Sequence, residues 1–335
     1  MKRVALSAAP VGRITQAVLD ANPQTVHDAL DLGVSLNPLR PFVGQGATLD
    51  VWEALATLAS HDLALARAIE PHIDAQTILD QEASSHVRGG TWGVFASEGS
   101  GHRVEARESD TGWRLTGVKQ WCSLGGSLSD ALVTAWVSES ERRLFRVKLS
   151  EHGVRVSSAE WHSRGLEEIP SNAVEFDESP ATPVGATGWY LDRPGFAWGG
   201  ISVAACWLGG ATGLGRSLLE ATRRPGGRGD DITLMHLGVV DARLAESRRA
   251  FAAAAAVLDS GDEAVVLGKR LRSTVARAAE GAMFHVGHAL GPEPLVRDAS
   301  HAKRVADLTV YIRQHHGERD DASLGRSVRD SDIEW

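Results

Sequence analysis

Two short stretches, Trp92-Gly-Val-Phe95-Ala96-Ser97-Glu98-Gly99-Ser100-Gly101 and Leu115-Thr-Gly117-Val118-Lys119-Gln120-Trp121-Cys122-Ser123, decide how the rest of the chain reads. In the first, Trp92, Val94 and Ala96 alternate with small or polar neighbours, the period of a half-buried strand. Between the two, Val104 and Ala106 and then Trp113 and Leu115 lie on either side of Asp110-Thr111-Gly112, a turn signal. Further short runs follow at 118–123, 131–138, 144–149, 154–158 and 173–176. Short strands separated by Gly, Asp and Ser turns predict a small antiparallel barrel or sandwich over residues 89–190. Five of the ten tryptophans lie between 92 and 161, but large aromatics ordinarily fill a small β core, so their clustering alone points to no ligand.

Outside this segment the period changes to that of helices. Over residues 1–88, Leu49, Trp52, Leu55, Ala56 and Ala59 form one apolar stripe. Asp62 or Ser60 is placed to cap a following helix that runs toward Leu79, and Pro71 is expected to kink or divide it. Asn22-Pro23 separates two earlier short helices. Over 191–316 four faces recur: Ile201, Ala204, Ala205, Leu208 and Ala211; Leu237, Val240, Leu244, Phe251 and Leu258; Leu267, Leu271, Val275, Ala278 and Ala282; Val305, Leu308, Ile312 and His315. They predict a helical bundle, with loops at 223–231 and 291–294. Residues 194–215 carry no charge but hold seven glycines, which suits a buried helix with close backbone contacts better than a membrane span. Residues 317–335 are charged and aperiodic and read as a mobile tail. The expected fold is therefore α+β and multidomain: N-terminal helices, a central β unit, a C-terminal bundle and a charged tail.

Composition bounds the function. A chain of 335 residues, 43% hydrophobic and 23% charged, suits two or three soluble globular domains. With Lys+Arg 35 against Asp+Glu 43, the net charge of -8 gives no general attraction to phosphate backbones, so no nucleic-acid partner is expected. Cys122 and Cys206 allow one disulfide at most and form no metal-type pair, which fits a reducing cytoplasm. The apolar run between Arg3 and Arg13 is too short and broken for a signal peptide. Gly210-Ala-Thr-Gly213-Leu-Gly215 has the wrong spacing for a dinucleotide turn and no βαβ unit around it. His315 and His316, as adjacent helical residues, point about 100° apart and do not share a metal ion easily. Cys122 reads as a half-buried strand cysteine.

The two opening stretches together resemble the acyl-CoA dehydrogenase family, whose members carry A-x-T-E-x-x-x-G-S followed by L-x-G-x-K-x-W-x-T/S. Weaker likenesses follow in order: His152-Gly153-Val154, Gly165-Leu166, Val174-Glu175-Phe176-Asp177, Val203-Ala204-Ala205 with Gly209-Gly210-Ala211, and Arg297-Asp298-Ala299. The resemblance spans about residues 50–316 and agrees with the helix, strand, helix order.

The resemblance implies FAD between the β domain and the C-terminal bundle. Phe95, Ala96 and Ser97 match the segment that meets the flavin pyrimidine edge; Trp121, Cys122 and Ser123 match the strand that covers the flavin and bonds near N5. It implies an FAD-dependent oxidoreductase that takes an acyl-CoA or other small substrate by hydride transfer to N5. Two features depart from the family. Its proton-abstracting glutamate falls at the ninth residue after Arg297, here Ala306, or on the first bundle helix, here Gly200. Asp307 and His301 are the nearest substitutes, each equally readable as helix surface. The stretch that reaches the FAD diphosphate is replaced by residues 225–231, where Arg228 is the available charge. The missing base keeps two alternatives open: a flavin-dependent monooxygenase or oxidase of the same superfamily, served by a flavin reductase or electron-transfer partner, and a non-catalytic scaffold. Small-residue helix faces predict a homodimer or homotetramer.

Overall fold

A computed structural model describes the chain except Pro41, residues 83–88, Ser100, Pro194, Arg228, residues 263–264 and 334–335, and the Ala197 side chain. Four helices come first: α1 (Arg13–Ala21), α2 (Val26–Leu36), α3 (Thr48–His61) and α4 (Leu63–Gln81). Asn22, in the left-handed region, closes α1, and Thr25 with Asp28 forms a capping box that starts α2. Asp62 ends α3 and caps α4 by accepting the Ala64 N–H. Ser60 does not cap; its hydroxyl turns back to the Thr57 carbonyl. Pro71 does not divide α4, which runs through it. The proline removes one ladder donor, but α4 is buried along most of its length, and tertiary packing outweighs the local cost.

Seven strands follow: β1 (Trp92–Phe95), β2 (Val104–Ser109), β3 (Gly112–Lys119), β4 (Asp130–Trp136), β5 (Arg142–Lys148), β6 (Val154–Val156) and β7 (Val174–Val184). The β2–β3 hairpin pairs Ser109 with Gly112, as its turn sequence requires. The strands β4, β2, β3, β7 and β5 pair in a ring that closes β5 on β4, so the unit is a small barrel. It is not wholly antiparallel: β1 and β2 both run parallel to β4. Side-chain alternation reports which face is buried, not the direction of the partner, so sequence could not reveal this. Strand β3 also stops earlier than the run 118–123 suggested, at Lys119. Gly117, with φ of 126°, sits at a bulge where a Cβ would lie 2.0 Å from the Arg103 carbonyl oxygen. The chain then leaves the sheet through Trp121 and Leu124, both left-handed.

The remaining helices are α5 (Trp189–Asp192), α6 (Phe196–Arg223), α7 (Asp231–Asp259), α8 (Val265–Leu290), α9 (Glu293–Arg297), α10 (Ala299–Tyr311) and α11 (Glu318–Arg329). The centre of α6 is fully buried. At Gly209 an added Cβ would lie 2.3 Å from the Ala56 carbonyl oxygen, so glycine is what lets α6 press on α3. Residues 291–294 turn directly into the short helix α9. The charged end does not read as a mobile tail in three dimensions. It forms α11, with Asp321, Leu324 and Val328 half-buried, tied to α8 by Ser273–Asp321, Arg277–Asp321 and Lys269–Ser327 bonds. A stripe with only two apolar members is hidden by its charged neighbours in sequence. Both cysteines are free and buried, so the possible disulfide is not formed. No helix among the described residues is long and apolar enough to cross a membrane.

Candidate functional site

The two motif segments meet where β1 and β3 end. Ser97 donates to the Gln120 carbonyl at 3.0 Å. Beneath this contact, Lys119 is only 2% exposed and donates to Glu98 and to Thr134, both at 2.9 Å. Arg142 and the Trp136 indole also reach Glu98. Burial raises the Glu98 carboxyl, but its bonds to Lys119 and Trp136 and the charge of Arg142 leave it below the ordinary range. Cys122 points into the core and donates to the Lys119 carbonyl; burial pushes its thiol up to about 12. It lies beyond the end of β3 and is fully buried rather than half-buried, so burial holds its thiol protonated.

Trp121, between these anchors, is 64% exposed and holds φ of 62°. A bulky residue rarely adopts that conformation, which costs about 1–2 kcal/mol. Here the bond from Ser97 to Gln120 and the buried Cys122 impose it. The result is an aromatic face presented outward next to two hydroxyls, Ser97 and Ser123.

Ser123 lines a narrow cleft between α4 and β1, together with Phe95, Leu124, Leu128, Pro71 and Arg67. Its hydroxyl shares a 2.7 Å hydrogen bond with Ser171 and accepts one from Arg67 at 2.9 Å. Ala96 is half-buried beside β1. Thus Phe95, Ala96, Ser97, Trp121, Cys122 and Ser123 are brought together, with Cys122 as an anchor rather than a lining group. Arg228 lies outside the described residues.

Asp307 and His301 are not brought to this cleft, and neither is helix surface. Asp307 is buried, accepts the Leu166 N–H at 2.7 Å and pairs with Lys303 at 2.7 Å. Burial raises its carboxyl against the pull of Lys303. Lys303 also pairs with Asp62 and Glu168, so Asp307 ties α10 to the α4 cap and to the loop 165–168. His301 is buried in the first turn of α10, and burial holds its imidazole below the ordinary value. The backbone of Ala306 packs on Gly165, where an added Cβ would come within 2.0 Å of its carbonyl oxygen. At Gly200, the carbonyl accepts a bond from Arg272. Neither family position therefore offers a free carboxylate.

Sequence reading missed Arg67 and Glu70. The signal was present: in L-A-L-A-R-A-I-E-P-H-I-D, Arg67, Glu70 and Asp74 fall at i, i+3 and i+7 on an otherwise apolar helix. Glu70 is buried, and burial pushes its carboxyl up to about 8, with Arg67 and Arg272 opposing the rise and Asp74 adding to it.

No family model matches the sequence, and no curated protein matches it. Solved structures do. Butyryl-CoA dehydrogenase from Megasphaera elsdenii is 15% identical with a TM-score of 0.81, over 96% of this chain and 100% of the other. A glutaryl-CoA dehydrogenase from Mycobacterium smegmatis in complex with FADH2 is 14% identical with a TM-score of 0.76, over 98% and 92%. Nitrososynthase from Micromonospora carbonacea var. africana is 17% identical with a TM-score of 0.74, over 97% and 99%. The chain has the acyl-CoA dehydrogenase fold, covering nearly its whole length.

Proposed function

We propose that this protein is an FAD-dependent oxidoreductase that oxidises a small substrate at the cleft between α4 and β1. The observation that carries the reading is Trp121, an exposed indole held in a strained conformation beside Ser97 and Ser123. Strain at a solvent-facing residue has no packing reward, and such strain is characteristic of functional sites. A planar cofactor ring supplies the missing partner for the indole face. The residues present suit that group: Trp121 as its wall, Ser97 and Ser123 as hydroxyl partners for its polar edge, and Phe95 and Leu124 as apolar packing. FAD, when bound, supplies an acceptor for two electrons. The solved glutaryl-CoA dehydrogenase carries FADH2, which supports the choice of cofactor.

The protein's own groups bias the chemistry. Ala306 and Gly200 leave no carboxylate at either family base position, and Asp307 is already committed to Lys303 and the Leu166 N–H. This favours a monooxygenase reaction, in which the flavin is reduced by a separate donor and no substrate proton need be removed by that base, over acyl-CoA dehydrogenation. A monooxygenase of this type takes its two electrons from a reductase partner, whereas an oxidase takes them from its own substrate, and the small-residue helix faces fit a homo-oligomer.

The test is fluorescence. Stoichiometric FAD quenches wild-type tryptophan emission, and Trp121→Gly loses part of that quenching and binds FAD more weakly while keeping its fold. Undiminished quenching in the variant removes Trp121 from the site. Reoxidation of the dithionite-reduced, FAD-loaded protein by air separates the branches: fast reoxidation supports the oxidase or monooxygenase, and slow reoxidation supports a dehydrogenase.

A further inference from the structure

Three adjoining side chains behind the cleft hold buried donors with no oxygen or nitrogen partner among the described residues: the Tyr311 hydroxyl, the Trp207 indole N–H and Nε2 of His315. Tyr311 and Trp207 are 1% and 0% exposed. The Cys206 thiol beside Tyr311 is a weak partner and is turned to the Ser202 carbonyl. Nδ1 of His315 accepts the Gly317 N–H at 3.3 Å, so the proton of the neutral ring sits on Nε2. Tyr311 and His315 both stand edge-on to Trp207, with ring centres 6.4 and 6.3 Å away. Buried polar groups are nearly always hydrogen-bonded, and ordered water serves where the protein does not. Three such donors side by side mark a row of buried waters.

The row has two ends. At the inner end the Arg67 guanidinium carbon lies 5.8 Å from the Tyr311 ring centre. Arg67 stands 3.6 Å from Glu70 and donates to Ser123 in the cleft wall. At the outer end His315 is half-buried between exposed Gln314 and His316. Glu70 is faced by Arg67 and Asp74 on α4, Cys206 on α6, Arg272 on α8 and Tyr311 on α10. His315 is faced by Arg272 and Glu280 on α8 and by Asp320 and Asp321 on α11. Helix α6 leaves room for this polar layer: at Gly200 an added Cβ would come within 3.2 Å of Arg272.

We propose that Glu70, Tyr311 and His315, joined by ordered waters, form a proton path from the cleft to solvent. This rests on the flavin reading above and deepens it. Reduced FAD gives O2 two electrons and one proton, and one further proton from solvent completes hydrogen peroxide. The count is the same when one oxygen atom enters a substrate C–H bond and the other leaves as water. Glu70 passes the solvent proton toward the cleft and is reloaded through Tyr311 from His315. Its carboxyl, pushed by burial up to about 8, exchanges a proton near neutral pH. Arg67 cannot lose its proton, so it positions Glu70 and Ser123 without carrying one.

A crystal structure of the flavin-free protein should show waters within hydrogen-bond reach of Tyr311 Oη, Trp207 Nε1 and His315 Nε2. Infrared spectra of the flavin-free protein at neutral pH should show a protonated-carboxyl band that Glu70→Gln lacks. After a jump to alkaline pH, that band should fade about tenfold or more slowly in Tyr311→Phe and His315→Leu than in wild type. In FAD-loaded, dithionite-reduced protein, His315→Leu should reoxidise in air about tenfold or more slowly and recover in imidazole buffer, a rescue that a structural role would not give. A dry row, an identical carboxyl band in Glu70→Gln, unchanged kinetics in both path variants, or a slowed His315→Leu that imidazole does not rescue each overturns the proposal. The wild-type waters decide the matter even where a variant folds poorly. A protein that binds FAD around a dry row loses only this proposal; one that binds no FAD loses the flavin reading, and the flavin-free measurements still judge the path.

Discussion

Ser97 donates its hydroxyl to the backbone carbonyl of Gln120, 23 positions along the chain, and so fastens the loop after β1 to the loop after β3. Everything that distinguishes the candidate site depends on this join. It holds Gln120 while Cys122 is anchored in the core, and Trp121 between them is forced outward. The aromatic wall is a consequence of two ties on its flanks, not of its own packing.

That arrangement separates function from stability at one residue. Trp121→Gly removes the strained side chain from an exposed position, and glycine adopts φ of 62° freely. Urea denaturation should place the variant within about 1 kcal/mol of the wild type, relief of strain offsetting added chain entropy. FAD affinity should fall about tenfold or more with the lost ring contact. A large loss of stability would show Trp121 to be structural.

The support below the join is electrostatic. Glu98→Ala leaves Lys119 buried at 2% exposure with Thr134 as its one remaining side-chain hydrogen-bond partner among the described residues. Breaking a fully buried pair costs about 3–5 kcal/mol; because the Glu98 side chain is 32% exposed, water reaches the vacated place and the loss falls at or below the low end of that range. Equilibrium unfolding should show a loss of this order, and Glu98→Gln should lose less, since the amide oxygen still accepts from Lys119.

Gly165 sets how the barrel meets α10. In Gly165→Ala the new methyl meets the Ala306 carbonyl, a backbone group that cannot swing away. Either α10 shifts or the bond from the Leu166 N–H to Asp307 breaks, for an expected loss of about 1–3 kcal/mol. Hydrogen exchange at the Leu166 amide should quicken in the variant; unchanged protection there would place the accommodation elsewhere.

Two buried groups give opposite pH dependences. Glu70 is raised from 4.5 to about 8, so the folded state holds a proton that the unfolded state releases, and stability declines as pH rises through that window. His72 is lowered from 6.5 to about 4, so its contribution is lost as pH falls through that window. Thermal melts between about pH 6 and about pH 8 should show a declining melting temperature for wild type and a flatter profile for Glu70→Gln. Parallel profiles would mean that Glu70 ionises freely in the fold.

Most of the fold was legible because its signals are local. The hairpin turn at 110–112, the Asp62 cap and the glycine-bearing face of α6 each follow from a few adjacent residues. The parallel pairing of β1 and β2 with β4 was not legible, because partner direction is a property of the tertiary path. Pro71 misled because burial of α4 overrides a single missing donor. Asp307 misled because a carboxylate on a helix looks solvated until Lys303 and the Leu166 N–H are brought to it. At the site, Trp121 and Ser123 were visible from their motif, whereas Arg67 became meaningful only when folding placed it against Ser123 in the cleft wall.

The central claim is that the ties around Trp121 exist to present a surface for a flavin. The visible absorption spectrum of the purified protein, before and after addition of FAD and removal of the excess, tests it most directly. The account predicts a bound-flavin spectrum that survives desalting and yields free FAD on denaturation. A protein that stays colourless after incubation with excess FAD would contradict it, and would leave the acyl-CoA dehydrogenase fold here as a scaffold.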